Sequence, residues 1–219
     1  MWALATLSYD INKLSPTLPL LYRGFSARVG IDAFKGFTQK EEALAGVTAS
    51  FTYHQPIYKY ITLATRIQAG TSEGDSKVLY NLGGVDNNVT PRIDTSAHFA
   101  QDAPFAFQTL VTPFRGYDQN SLYGSRYCLL NADAYFPLFQ ALVPIETPLP
   151  SLNNLQLGLF ADVAAAGGAS AYTTAGKGWQ ASFGCSARTM LAGYPLRFDI
   201  GWPGTFRAQP VWYCSLNLW

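Results

Sequence analysis

The chain has 219 residues, of which 13% are charged and 15% aromatic, with 19 glycines, 13 prolines and a formal net charge of +1. That length suits one domain with a substantial core, while so little charge excludes the usual lysine and glutamate coat of a soluble surface and the basic field that a phosphate backbone requires, so nucleic acid is not an expected partner. No apolar run reaches the roughly 18 residues of a membrane helix, and the opening MWALATLSYDINK lacks the basic start and small-residue cleavage site of a signal peptide; a helical anchor is excluded, a membrane-spanning β-structure is not.

Taken in chain order, period-2 alternation predicts about eleven strands, near 2–10, 20–34, 45–55, 58–70, 75–83, 104–113, 121–136, 152–164, 177–190, 194–203 and 210–219. Stretches rich in Gly, Pro, Asn, Asp and Ser separate them, and the helical period of about 3.6 residues is hard to find. In the second segment Phe25, Ala27, Val29 and Ile31 share one face, and Ser26, Arg28, Gly30 and Asp32 the other. In the fourth, Ile61, Leu63, Thr65 and Ile67 oppose Thr62, Ala64, Arg66 and Gln68; in the ninth, Ala181, Phe183, Cys185 and Ala187 oppose Ser182, Gly184, Ser186 and Arg188.

The polar face therefore carries Arg, Asp, Gln, Ser and Gly with almost no lysine or glutamate. A soluble sandwich hides its apolar face and coats the other with flexible charges, whereas a transmembrane barrel turns the apolar face to lipid and lines its lumen with small polar groups and paired charges. Composition and strand length favour the barrel, since a tilted membrane strand needs about 9–11 residues. Aromatic residues near segment ends (Tyr22, Phe34, Tyr58, Phe136, Tyr194, Trp202, Trp212, Trp219) suit interfacial girdles. A soluble sandwich or lipocalin-like barrel is the alternative.

Cys128, Cys185 and Cys214 make an odd count and fall on apolar parity, which points to small hydrophobes rather than a disulfide set. His54 and His98 stand far apart with no cluster at ligand spacing, and no nucleophile elbow, Walker loop or dinucleotide fingerprint occurs. No enzyme activity, metal or cofactor is expected. The glycine-rich NLGGVDNN is expected to be a turn rather than a phosphate cradle, because no helix pattern follows it.

From the middle of the chain onward the motifs carry a family resemblance. PFRGY, at Arg115, Gly116 and Tyr117, is followed by NADAYFP with Asp133, by LGLFADVAAAGG with Phe160 and Asp162, by SFGCSARTMLAGYPLRFDIGWP, and by the aromatic-ended WYCSLNLW. This resembles the C-terminal part of the BamA-like superfamily of outer-membrane assembly barrels, also called bacterial surface antigen proteins. LYNLGGVDNN resembles a segment found in one branch of the same superfamily. Departures from the family pattern are Ala164 where glycine is usual, Asp133 in place of Glu, and Asn217 within the terminal signal.

The resemblance implies an antiparallel transmembrane β-barrel in which a long extracellular loop folds back into the lumen. About five strands follow that loop, as in the family, but only about six segments precede it. The expectation is one barrel domain over 1–219, incomplete at its N-terminus, holding the C-terminal eleven or twelve strands of about sixteen, with a reduced twelve-stranded barrel as the alternative. Parity places Asp133 with Asn131 and Tyr135, and Asp162 with Gln156, Gly158 and Phe160, on the lumenal face. Arg115, with five donors in a rigid fork, can bridge both carboxylates and tether the loop. Gly116 would give the tight turn, and Tyr117 would pack on Gly158 or Gly184. The bland alternative leaves Arg115 in solvent. Arg188, Arg197 and Asp199 are expected to line the same lumen as ordinary ion pairs, and Arg28 and Asp32, four apart, likewise.

The terminal strand, with Trp212, Leu216, Leu218 and Trp219, resembles the C-terminal signal of outer-membrane barrels. The implied location is the bacterial outer membrane. The implied partners are its lipid, client outer-membrane proteins, and periplasmic or lipoprotein components; the implied role is assembly or translocation of proteins. A passive channel or structural surface barrel is the first alternative, and a soluble β-sandwich binding module the second.

Overall fold

A computed structural model of the chain describes residues 2–36, 43–58, 60–95, 105–139, 150–168 and 178–216. His98, Asn217, Leu218 and Trp219 lie outside the described residues.

The architecture is all-β and dominated by one antiparallel sheet. Its strands are β1 (Trp2–Asn12), β2 (Ser15–Leu18), β3 (Leu21–Gly36), β4 (Ala43–Tyr58), β5 (Ile61–Gly74), β9 (Arg126–Pro137), β10 (Gln156–Gly167), β11 (Gln180–Leu191), β12 (Tyr194–Pro203) and β13 (Val211–Leu216). They stand in the order β1-β3-β4-β5-β9-β10-β11-β12-β13, with β2 continuing the line of β1 along β3. Among the described residues the sheet does not close on itself, and β1 and β13 are its two edges. A short helix, α1 (Pro150–Asn153), precedes β10, and among the described residues no helix is long and apolar enough to cross a membrane.

Two expected strands are not in this wall. The segments near 75–83 and 104–113 form β6 (Lys77–Leu82) and β7 (Phe105–Val111), which pair in parallel, and β8 (Leu122–Gly124) completes a separate three-stranded sheet, order β7-β6-β8. Alternation is equally good in both places, since any half-buried strand has a period of two. The wall thus has four strand positions before the arginine loop, counting β1 and β2 as one, and five after it.

Register explains the two faces. Across the wall, Ile11, Ala27, Phe51, Ile67, Leu130, Val163 and Ala181 are successive Cα partners, and a second row runs through Leu157, Ala187, Phe198 and Cys214. These apolar residues point away from the inserted segments: Leu159 is 55% exposed, and Val29, Ile31, Phe51, Ile67, Phe198 and Trp212 are also exposed. The residues alternating with them on β9 to β13 are buried, among them Asn131, Asp133, Gln156, Asp162, Ser182, Ser186, Asp199 and Ser215. Exposed large apolar side chains beside a buried polar interior invert the arrangement of a soluble sandwich. All three cysteines are free, with Cys185 exposed on the apolar face.

Connections differ between the two ends of the sheet. At one end the turns after Leu18 and Leu191 are tight, and the connection carrying α1 joins β9 to β10; Ala192 and Gly193 both have positive φ (50° and 88°), as the two-residue hairpin turn there requires. At the other end lies the excursion from Asp75 to Ser125 that contains β6, β7 and β8. This excursion folds back against the inner face of the wall. Tyr80, Leu82, Val111, Phe114 and Leu122 from it form an apolar cluster with Leu129 of β9 and Ala164 of β10. Ala164 is fully buried there.

Candidate functional site

The tip of the excursion reaches the inner faces of β9 to β13. Two glycines, one in the tip and one in the wall, make room for it. Gly116 has φ +84°, open to glycine at little cost, and a Cβ there would sit 2.9 Å from the Cβ of Ser182. Opposite it, a Cβ on Gly201 would lie 2.5 Å from the Gly116 backbone nitrogen. Two glycines thus let the loop backbone lie almost directly against β12.

Arg115 is the centre of the site and is 0% exposed. Its backbone N–H donates to Asp162 Oδ2 at 3.0 Å, Nε donates to the same oxygen at 2.7 Å, and Nη2 donates to Asp162 Oδ1 at 2.6 Å. Nη1 and Nη2 turn to the second carboxylate, Asp133, at 2.5 and 3.2 Å. The guanidinium carbon stands 3.7 Å from the Phe160 ring centroid, a stacked cation–π contact. Burial opposes the positive charge, and the carboxylates of Asp133 and Asp162 overcome it, so the Arg115 pKa is raised well above its ordinary value.

The structure therefore brings Arg115, Gly116, Asp133, Phe160 and Asp162 together. Asp199 approaches as a third carboxylate, 4.0 Å from Arg115 Nη1, and is itself held by Arg197 Nε at 2.8 Å. Three carboxylates face two guanidinium groups, leaving one formal negative charge at the cluster.

Other expected placements differ. Tyr117 does not pack on Gly158 or Gly184: it stacks on Phe114, with centroids 4.5 Å apart, and its hydroxyl donates to the Ala181 carbonyl at 3.1 Å. Gly158 and Gly184 lie instead beneath Tyr135 and Phe160, whose rings would meet added Cβ atoms at 3.2 and 2.5 Å. Arg188 binds neutral groups rather than an acid. Nε donates to Gln156 Oε1 at 2.8 Å, Nη2 donates to the Leu20 carbonyl at 2.7 Å, and the guanidinium lies over the Tyr135 ring. Arg28 and Asp32 do not partner each other: Arg28 pairs with Asp10, and Asp32 accepts from Thr6, each directly across the β1–β3 ladder. In the terminal strand, Trp212 is exposed on the apolar face and Leu216 is half-buried.

Several supporting contacts escaped the sequence. Asn131 Nδ2 donates to both the Pro113 carbonyl and Asp162 Oδ1, each at 2.8 Å; Gln68 Nε2 donates to the Thr112 carbonyl at 2.9 Å; Tyr213 Oη donates to the Tyr117 carbonyl at 2.7 Å. Each sits on the inward parity of its strand, and an inward glycine, Gly201, beside Asp199 was the available sign of a close backbone approach. Among the described residues no group of His, Cys, Asp and Glu could hold a metal ion. The arrangement is built for holding a loop: a cation, two acids and four backbone contacts around one turn.

The family model for the Omp85 superfamily domain matches residues 12–211. No curated protein matches the chain.

Proposed function

This chain belongs to the Omp85 superfamily, and from that premise we propose that it works as an outer-membrane β-barrel that helps insert or translocate other proteins. The superfamily consists of outer-membrane components of protein assembly and transport that act without enzymatic chemistry, which supports the general setting. In this reading the wall curls with its apolar face on acyl chains, the end with the turns after Leu18 and Leu191 lies on the periplasmic side and the excursion enters from the outside. Arg115, Gly116 and Tyr117, with Asp133 and Asp162, tether the excursion in the lumen. Phe160, Arg188, Arg197 and Asp199 line it, and β13, with Trp212 and Leu216, forms one side of a seam offered to clients. Lipid, client barrels and periplasmic or lipoprotein components are the partners.

The observation that carries this reading is the wholly buried Arg115, clamped by two wall carboxylates at the tip of a folded-back loop. A surface loop in solvent would have no reason for it. The test uses the protein reconstituted in liposomes, where an assembly barrel accelerates the folding of an added client barrel and conducts ions poorly. Steady conductance with no effect on client folding would mark a passive channel and overturn the assembly role.

A further inference from the structure

The excursion touches the wall in a second place, at the edge of the last strand. Asn88 and Ser215 form an antiparallel bridge: Val89 N–H donates to the Cys214 carbonyl at 2.7 Å, and Leu216 N–H donates to the Asn87 carbonyl at 3.3 Å. Between these two main-chain bonds, the Asn88 side-chain oxygen accepts the Cys214 N–H at 3.2 Å. The Asn88 amide is itself oriented locally, its Oδ1 accepting the Thr90 N–H at 3.3 Å and its Nδ2 donating to the Thr90 carbonyl at 3.2 Å. Asn87 has φ 52°, a left-handed turn that brings the segment alongside the strand. Beneath, Val85 packs with Val211 and Tyr213 on the lumenal side. The NLGGVDNN stretch, which sequence reasoning leaves as a plain turn, thus lays one bridging residue, Asn88, along β13.

β13 is an edge of the sheet. An edge presents a row of backbone donors and acceptors that another chain can pair with, and in lipid their loss of partners is costly. Residues Asn87 to Val89 occupy that row at Cys214 and Leu216 with two main-chain bonds and one side-chain bond. These bonds satisfy both backbone groups of Cys214 and the N–H of Leu216, and are few enough to be replaced by a longer strand.

The same segment is joined to the arginine clamp. Gly84 N–H donates to the Tyr117 carbonyl and Phe114 N–H donates to the Gly84 carbonyl, both at 3.0 Å, so the two limbs of the excursion are laced together on either side of Arg115. We propose that Asn87–Val89 is a built-in strand mimic that guards the edge of β13, that an incoming extended polypeptide pairing antiparallel must displace it, and that the Arg115 clamp holds it in place. The proposal deepens the assembly reading and rests on it for the identity of the incoming strand.

The test is a reversible lock. Directly opposed residues of an antiparallel bridge bring their Cβ atoms within about 5.5 Å, near disulfide reach. Asn88→Cys with Ser215→Cys, in a chain whose Cys128, Cys185 and Cys214 are replaced by serine, should form a disulfide in detergent micelles without changing the heat-modifiable gel mobility of the folded barrel. The probe is a fluorescent synthetic peptide with the alternating sequence WALATLSYDIN of β1. The oxidised form should bind it at least about tenfold more weakly than the reduced form, and adding reductant should restore binding. Tyr213→Phe, a mild change that cuts the link from β13 to the Tyr117 carbonyl, should slow disulfide formation. Failure of the pair to cross-link, or equal peptide binding in both forms, would overturn the strand mimic. Peptide binding gated by the disulfide in a protein that accelerates no client folding would keep the mimic and overturn the assembly reading alone.

Discussion

The inner faces of the two halves of the sheet carry similar residues and meet different fates. On β9 to β12, Asn131, Asp133, Asp162, Ser182 and Asp199 are buried beneath the returning excursion. On β1, β3 and β4, Asp10, Arg28, Ser50 and Thr52 border an open cavity of about 680 Å³ instead, with Thr109 to Thr112 of the excursion across it. The ion pairs follow: Arg115 with Asp162 has both side chains at 0% exposure, whereas Arg28 with Asp10 has them at 70% and 49%. The same alternation thus produces a dry lock where the excursion packs directly on it and a solvated ladder where the excursion stands off across a cavity. Coulomb attraction scales inversely with effective dielectric, so covering, rather than residue type, decides how much each pair contributes.

Breaking the dry lock should have the largest effect. Arg115→Ala leaves two buried carboxylates without their cation, which costs about 3–5 kcal/mol; denaturant unfolding in detergent should show that loss, and proteases should cut the freed excursion between β7 and β8. Gly201→Ala is next. Its Cβ meets the loop backbone rather than a flexible side-chain end, so the tip must lift, at about 1–3 kcal/mol, with the same new protease sensitivity while Arg115 itself is unchanged. Tyr213→Phe removes one buried hydrogen bond to the Tyr117 carbonyl and should cost about 1 kcal/mol, measured by the same unfolding curves. Arg28→Ala should be smallest, below about 1 kcal/mol, and what effect it has should fade in high salt. An Arg28 variant as damaging as the Arg115 variant would erase the distinction between the halves.

Much of the wall was legible because its signal is local. Parity sorted Phe25, Val29 and Ile31 from Ser26, Arg28 and Asp32, and it placed Asp133 and Asp162 on one lumenal side with Asn131 and Phe160. What parity cannot express is distance along the chain. Lys77–Leu82 and Phe105–Val111 alternate like wall strands yet pair in parallel with each other, because the apolar cluster formed by Tyr80, Leu82 and Val111 is satisfied by Leu129 and Ala164. Tyr117 went to Phe114 rather than to a lumenal glycine since those glycines were already covered by Tyr135 and Phe160. The bridge from Asn88 to Ser215 joins residues 126 or more positions apart by backbone groups, which every residue possesses and no side-chain pattern announces.

Everything functional here depends on which face of the wall meets lipid, and adjacent residues of β11 give the direct measurement. Cys185 points outward and Ser186 inward. A fluorophore on Cys185, and in a separate protein on Ser186→Cys with Cys185→Ser, is read in vesicles containing spin-labelled acyl chains. Strong quenching at position 185 with little at 186 is the expected result; the reverse order, or equal quenching by a water-soluble quencher at both positions, would contradict the account.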